Sequence, residues 1–416
     1  MRAMQRLKAF LKSERGNVLA MGAAAIPLLL GSAGYAVDTF QIAVMNRQMQ
    51  RAADSAAIAG AYAMSQGSGA TEEQTYASGA ATREIDRKLN KTPALVGTPV
   101  IVTGASLGFN RTVRVNLTAT PRLPFMAIFT KSTTNITVTA TAALVENGRF
   151  CMLSLYDGTA PGISVGGDAN LNLGCGMASN STGPNGIESF GSSTVTASPI
   201  MARGGLTPGN YAAGTKLQPY SAEQKDPYAS IPNPVSPGSC PAKEVKDADE
   251  TLEPGCYSSL SFSKHTATLK PGTYLIDGGK LDFGAQGKVV GTGVTFVMTG
   301  PGGAAGDFEM NAQAEINVSA PHSGTYKDIL FFRDRRAANV DIKINGGSSA
   351  TMVGAMYFPS SDVTFNGNAG FTANCFQLIG RILTFRGGAE INNTPTACAA
   401  LGGDPDFQLQ FVRLVK

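Results

Sequence analysis

The chain has 416 residues, enough for two or three domains that each bury a core. Its 49 glycines, 22 prolines and 15% charged residues exclude an ordinary helical bundle and point to a turn-rich β architecture. The net charge of +4 is concentrated in residues 1–51, which carry seven basic and two acidic side chains. The remainder is near neutral and offers no nucleic-acid footprint.

In the first 17 residues, Arg2, Arg6, Lys8, Lys12 and Arg15 stand against the single acid Glu14. Val18–Val37 then runs for 20 residues without a charged side chain, the length a helix needs to cross about 30 Å of hydrocarbon at about 1.5 Å per residue. The charge asymmetry predicts a single span with the N-terminus cytoplasmic and the bulk of the chain exported. The competing reading is a cleaved signal peptide, with Gly34 and Ala36 as the small residues before the cut. Helical patterning continues past the span, however. Ile42, Met45, Met49, Ala52, Ala56, Ala59 and Ala63 follow a 3,4 spacing and share one stripe, so one helix is expected to start in the bilayer and emerge from it. Ile42, Met45, Met49, Ala52, Ala56 and Ala59 are the expected helix interface, thin enough for a partner helix to approach closely. The same stripe could instead pack on the chain's own exported domain. Arg51 and Asp54 are expected to pair on a solvated face.

Residues 71–90 read as a second, more polar helix with Ala80, Ile85 and Leu89 on one side. Two strand candidates follow, Arg111–Ala119 and Asn135–Leu144, separated by the break Pro121-Arg122-Leu123-Pro124. Residues 38–147 thus form a small α+β module of helix plus hairpin.

Several of these strings carry a family resemblance. The R-G-N-V at Arg15–Val18, the apolar span with Pro27, Asp38 just beyond it and the Q-R-A-A-D-S-A-A-I-A-G-A of Gln50–Ala61 resemble the N-terminal segment of TadE/TadG-like proteins. Those are membrane-anchored components of the Tad (Flp) pilus assembly machine. The resemblance implies a single-pass protein of a bacterial inner membrane, with its bulk periplasmic or extracellular, whose partners are other Tad components or pilins, met through the N-terminal helix. It extends loosely through V-R-V-N-L-T-A-T-P-R-L-P-F-M-A-I-F. Counting from Gly16, the Glu that pilins place five residues beyond their cut is Met21 here. The D-x-S-x-S string of a von Willebrand A domain is absent, so metal-dependent adhesion is not implied.

From Arg149 the composition turns to Gly, Asn, Ser and Thr, marking a second domain: 148–198 as its start, 199–256 as a Pro-rich excursion with nine prolines, and 257–404 as its main body. An apolar-x-apolar-polar-Gly unit recurs as Ile342–Gly346, Val363–Gly367 and Leu383–Gly387, with looser relatives at Leu281 and Phe308. A second register matches Ala350-Thr351-Met352 with Phe371-Thr372-Ala373, and Met356-Tyr357-Phe358 with Gln377-Leu378-Ile379. Short strands repeating every 20 to 25 residues predict an all-β, right-handed parallel β-helix or solenoid. Residues 405–416 read as a final strand or cap over its open end.

Six cysteines fall at 151, 175, 240, 256, 375 and 398, all on the exported side, where thiols oxidise. Fifteen connectivities are open. Neighbours in sequence are preferred, Cys151 with Cys175, Cys240 with Cys256 and Cys375 with Cys398, because the first and last gaps approximate one solenoid turn.

Chemistry is sparse. His265 and His322 stand apart from any second ligand, so no metal or cofactor is expected, nor is a hydrolase triad. Lys327, Asp328, Arg333, Asp334, Arg335 and Arg336 form the one charged cluster, and Asp277, Asp282 and Arg381 add the residue types of a polysaccharide lyase. The chain is expected to be non-enzymatic, with an exported carbohydrate-binding or carbohydrate-active β-helix as the alternative and surface polysaccharide as a possible further partner.

Overall fold

The computed structural model describes residues 14–67, 69–90, 93–129, 134–345, 349–367, 370–393 and 407–415. Most of the basic tail and Cys398 lie outside them. The chain divides into two compact units, Met1–Val145 with Val412–Lys416, and Glu146–Phe411.

The first unit is built on α1, Glu14–Met64, a 51-residue helix that runs uninterrupted through Pro27. Helix α2, Ala70–Leu89, carries Glu72 and Glu73 in its first turn and Arg87 and Lys88 in its last, matching the helix dipole at both ends. Asn90 closes it in the left-handed conformation, its N–H reaching Asp86 O at 2.9 Å. Three antiparallel strands complete the unit: β1, Val100–Ser106; β2, Phe109–Ala119; and the part of β3, Ile136–Ser154, up to Leu144. Strand β1 is absent from the sequence reading. Its signal is the two-residue turn Leu107-Gly108, both at positive φ, which is the hairpin geometry that matches strand twist.

Alternation on β2 puts Val113, Val115, Leu117 and Ala119 in the core. They meet Met49, Ala52, Ala53, Ala56, Ala57 and Ala61 of α1 and Ala77, Ala81, Ile85 and Leu89 of α2. The alanines let backbones approach closely. A Cβ added at Gly60 would lie 2.9 Å from Val113 Cγ1 and 3.2 Å from Ala77 O.

The second unit is β-rich, and most of its short strands pair in parallel with the strand three further along the chain. The result is three ladders. In the first, Leu260 pairs with Leu281, Leu281 with Phe308, Ile342 with Val363, Val363 with Leu383, Leu383 with Ile163 and Ile163 with Ile187. The second joins Ala267, Val289 and Ile316, then Ala350, Phe371 and Ile391, and ends on Leu171 and Val195. The third includes Tyr274 with Phe296, Phe296 with Phe331, Met356 with Leu378, and Leu378 with Met152. Like residues therefore stack on like. Phe283 lies 5.3 Å from Phe262 and 5.9 Å from both Phe308 and Phe331, ring centre to ring centre, in a continuous apolar column.

Stacking order is not chain order. The layer beyond Leu383–Phe385 is Ile163–Val165, from the beginning of the unit. Residues 150–218 build the stack outward in one direction, and residues 242–393 build it from the opposite end back to the same middle layer. Residues 219–241, the heart of the Pro-rich excursion, connect the two ends. Nine strand spacings of about 4.8 Å separate the layer of Gln218 from that of Cys256, about 43 Å, well within reach of an extended chain of that length.

One expectation needs correction. The structure pairs Met356 with Leu378, not Gln377, and Tyr357 with Ile379. The register slips between Met352 and Gly354, where Cys375 takes a positive φ of 66° and adds one residue to its strand. The closing segment forms a strand, Phe407–Leu414, one of its two expected forms; Phe411 packs on an apolar cluster of the β-rich unit, Val412 on the core of the first unit, and the Val415 N–H reaches Thr141 O at 2.9 Å.

Two disulfides join Cys151 to Cys175 and Cys240 to Cys256, with Cα separations of 5.9 and 5.5 Å. Cys375 is also disulfide-bonded.

Candidate functional site

Two regions hold candidate chemistry. The first is α1. Ile26, Leu28, Leu29 and Leu30 are 57 to 74% exposed, an arrangement that water disfavours and a bilayer satisfies. Among the described residues, this helix alone is long and apolar enough to cross a membrane. Beyond it Asp38 is fully buried, and its Oδ2 accepts the Met126 N–H at 2.6 Å while Oδ1 takes no hydrogen bond. Met126 opens the one-turn helix α3, Met126–Phe129.

The six stripe residues divide. Met49, Ala52 and Ala56 are fully buried against α2 and the sheet, and Ile42, Met45 and Ala59 are half-buried. The far half of the stripe is thus covered by this chain's own module, because alanines that would admit a partner helix also admit α2. The near half borders an open groove of about 370 Å³ lined by Phe40, Val44, Met45, Pro93, Pro121 and Arg122, among others. Asp54 accepts from Gln50 Nε2 at 2.7 Å in place of the expected Arg51.

The deciding observation for α1 is a match along its length. Residues 16–64 match the Tad family model, "Putative Flp pilus-assembly TadE/G-like". No curated protein and no solved structure matches the chain. The TadE/G-like segment coincides with α1 almost end to end, and the span and the buried stripe both fall inside it.

Outside the TadE/G-like segment, the second region is the arginine-rich cluster in the β-rich unit, and it turns out to be a clamp. Arg335 donates to Tyr228 O at 3.0 Å and to Ile231 O, and Arg336 donates to Pro234 O at 2.8 Å, all on the crossing segment. Tyr357 donates to Asp226 at 2.6 Å, and Tyr228 donates to Gln377 Oε1 at 2.7 Å. Burial pushes both tyrosine hydroxyls well above their usual range, joined by Asp328 and Asp226 at Tyr228 and by Asp226 at Tyr357, so they stay protonated donors. Arg333 is buried and donates to Ala338 O, Ser360 Oγ, Ser361 Oγ and Ala305 O, while burial lowers its pKa. Burial raises the Asp334 carboxyl, yet bonds from Arg336 and Thr299 outweigh it and hold the group below the ordinary carboxylate value.

The remaining acids are separately engaged. Asp277 accepts from the Gly238 N–H, Asp282 from Asn311, Asp362 from Arg381, and His322 faces Asp328 at 3.0 Å. The described residues bring Cys240, Cys256 and Asp277 within ligand distance of one another, but both sulfurs are in a disulfide and offer no thiolate. One string escaped the sequence reading: Gly162-Ile163-Ser164-Val165-Gly166 fits the G-x-S-x-G pattern. Its serine lies in a parallel strand rather than at a strand-to-helix turn, and it donates to Glu188 at 2.8 Å. Neither histidine is its partner.

Proposed function

We propose that this chain is a non-enzymatic component of a Tad/Flp-type pilus assembly or surface-attachment system. In this reading α1 crosses the bacterial inner membrane once with its N-terminus cytoplasmic, and the β-rich unit stands on the periplasmic or extracellular side as a right-handed parallel β-helix head. The observation that carries the reading is the coincidence of the TadE/G-like match with a helix that is apolar and exposed over one half and packed over the other. The exposed half, from Met21 to Val37, is the surface through which pilins or other Tad components would be met within the bilayer.

The β-helix assignment rests on the three ladders, whose strands pair in parallel layer on layer with the same residue class pointing inward. A non-enzymatic head is supported by the engagement of every weighed acid and arginine in internal bonds, which also leaves the carbohydrate-active alternative without a specific observation in its favour. Deleting the gene in a piliated host and imaging the cells tests the proposal. Loss of pili or of surface attachment is expected, restored by the full chain. Normal pili together with normal attachment overturn it.

A further inference from the structure

The segment Pro121–Phe129 is an apolar loop in the first unit, R-L-P-F-M-A-I-F from Arg122 onward, and it is tied to α1 at two points. Phe125 packs on Gly34 so closely that a Cβ added there would lie 2.4 Å from its ring. Four residues on, the Asp38 carboxylate holds the Met126 N–H. Gly34 precedes the end of the uncharged run by three residues, about 4.5 Å along the helix axis. A side chain resting on Gly34 therefore lies at the depth of the bilayer edge whenever the run fills the bilayer. The same loop leaves Ile128 73% exposed and Phe125 40% exposed, and Phe40 of α1, two residues beyond Asp38, is 69% exposed. In water this is a cluster of unpaired apolar side chains beside a buried carboxylate.

We infer that residues 121–129 are a second membrane contact, seated in the headgroup and upper acyl region of the leaflet from which α1 emerges. The occupant of this apolar surface is phospholipid. The argument is continuity: the loop is fastened to the spanning helix inside the end of its apolar run, so the surface that covers the helix covers the loop. Phe125 and Ile128 enter the acyl boundary, and the exposed Arg122 guanidinium reaches phosphate oxygens at the loop's base. Gly34 and Asp38 set the depth. Gly34 makes room for the ring, and Asp38 fixes the backbone of the loop to the helix. The module is then held to the bilayer by two points, which limits its swing about the single span.

The inference rests on the reading of α1 as a span, and the test separates the two. The chain contains no tryptophan, so each single substitution gives one fluorescent reporter. Full-length Ile128→Trp, Phe125→Trp, Leu30→Trp and Val235→Trp variants are reconstituted in phosphatidylcholine/phosphatidylglycerol vesicles, with and without lipids brominated high on the acyl chains. Leu30 reports the span, and Val235, exposed in the β-rich unit, is the aqueous control. The expected result is blue-shifted emission from Ile128→Trp and Phe125→Trp, with a loss of about half the intensity in brominated vesicles, and a water-like, unquenched Val235→Trp. Quenching of Leu30→Trp with no quenching at either loop position overturns the loop contact and leaves the anchor standing. Absence of quenching at Leu30 overturns both.

Discussion

Phe283→Ala tests whether the apolar column is what holds the β-rich unit together. Phe283 is 1% exposed, its ring sits between those of Phe262 and Phe308, and Phe296 and Phe331 approach it edge-on. Truncation returns to water most of the roughly 200 Å² that a phenylalanine buries, about 4 kcal/mol at ~25 cal/mol per Å², inside the ~3–5 kcal/mol range of core Phe→Ala changes. Because each layer contacts mainly its neighbours, the loss is expected to be local. The assay is hydrogen exchange on the full chain in detergent with disulfides intact, alongside urea unfolding. Protection should fall first in Ser259–Phe262, Leu281–Phe283 and Phe308–Met310, and hold in Ile163–Val165 and Ile187–Ser189, which lie several layers away. Tyr220→Ala, at a side chain 74% exposed, should cost less than about 0.5 kcal/mol. A loss below about 1 kcal/mol for Phe283→Ala, or one spread evenly over all layers, would refute the argument from stacked neighbours.

Two further outcomes follow from the same packing. Arg335→Ala removes the guanidinium bonds to Tyr228 O and Ile231 O, about 2–3 kcal/mol of clamping on the crossing segment, so limited proteolysis within residues 219–241 should accelerate. Lys288→Ala, which breaks only an exposed ion pair to Glu315, should leave that rate unchanged. Gly60→Leu drives a side chain into Val113 and the Ala77 carbonyl, and should lower the stability of the first unit by about 1–3 kcal/mol without altering exchange in the β-rich unit. A neutral Gly60→Leu would mean that α1 and α2 are not in close contact there.

What the sequence determined by itself is what local patterning encodes. An uncharged run followed by a 3,4 apolar stripe is enough to specify one long helix, since both period and solvent preference are properties of neighbouring residues. The recurrence of Ile342, Val363 and Leu383 at steps of 21 and 20 likewise specified which residues stack, and the ladders pair them. The partner of each surface was not encoded in this way. The alanines of α1 suit any close neighbour, and only the fold assigns Met49, Ala52 and Ala56 to α2 and the sheet. The order of the layers was also beyond reach. Each presents the same class of apolar face, so nothing local distinguishes Ile163 from a later repeat as the neighbour of Leu383. Tertiary structure decided that the chain enters its stack in the middle, and the polar bonds along residues 224–238 show how it crosses to the far end. Those bonds join residues more than 30 apart in sequence, so they follow from the packing of the layers and not from the composition of the segment that makes them.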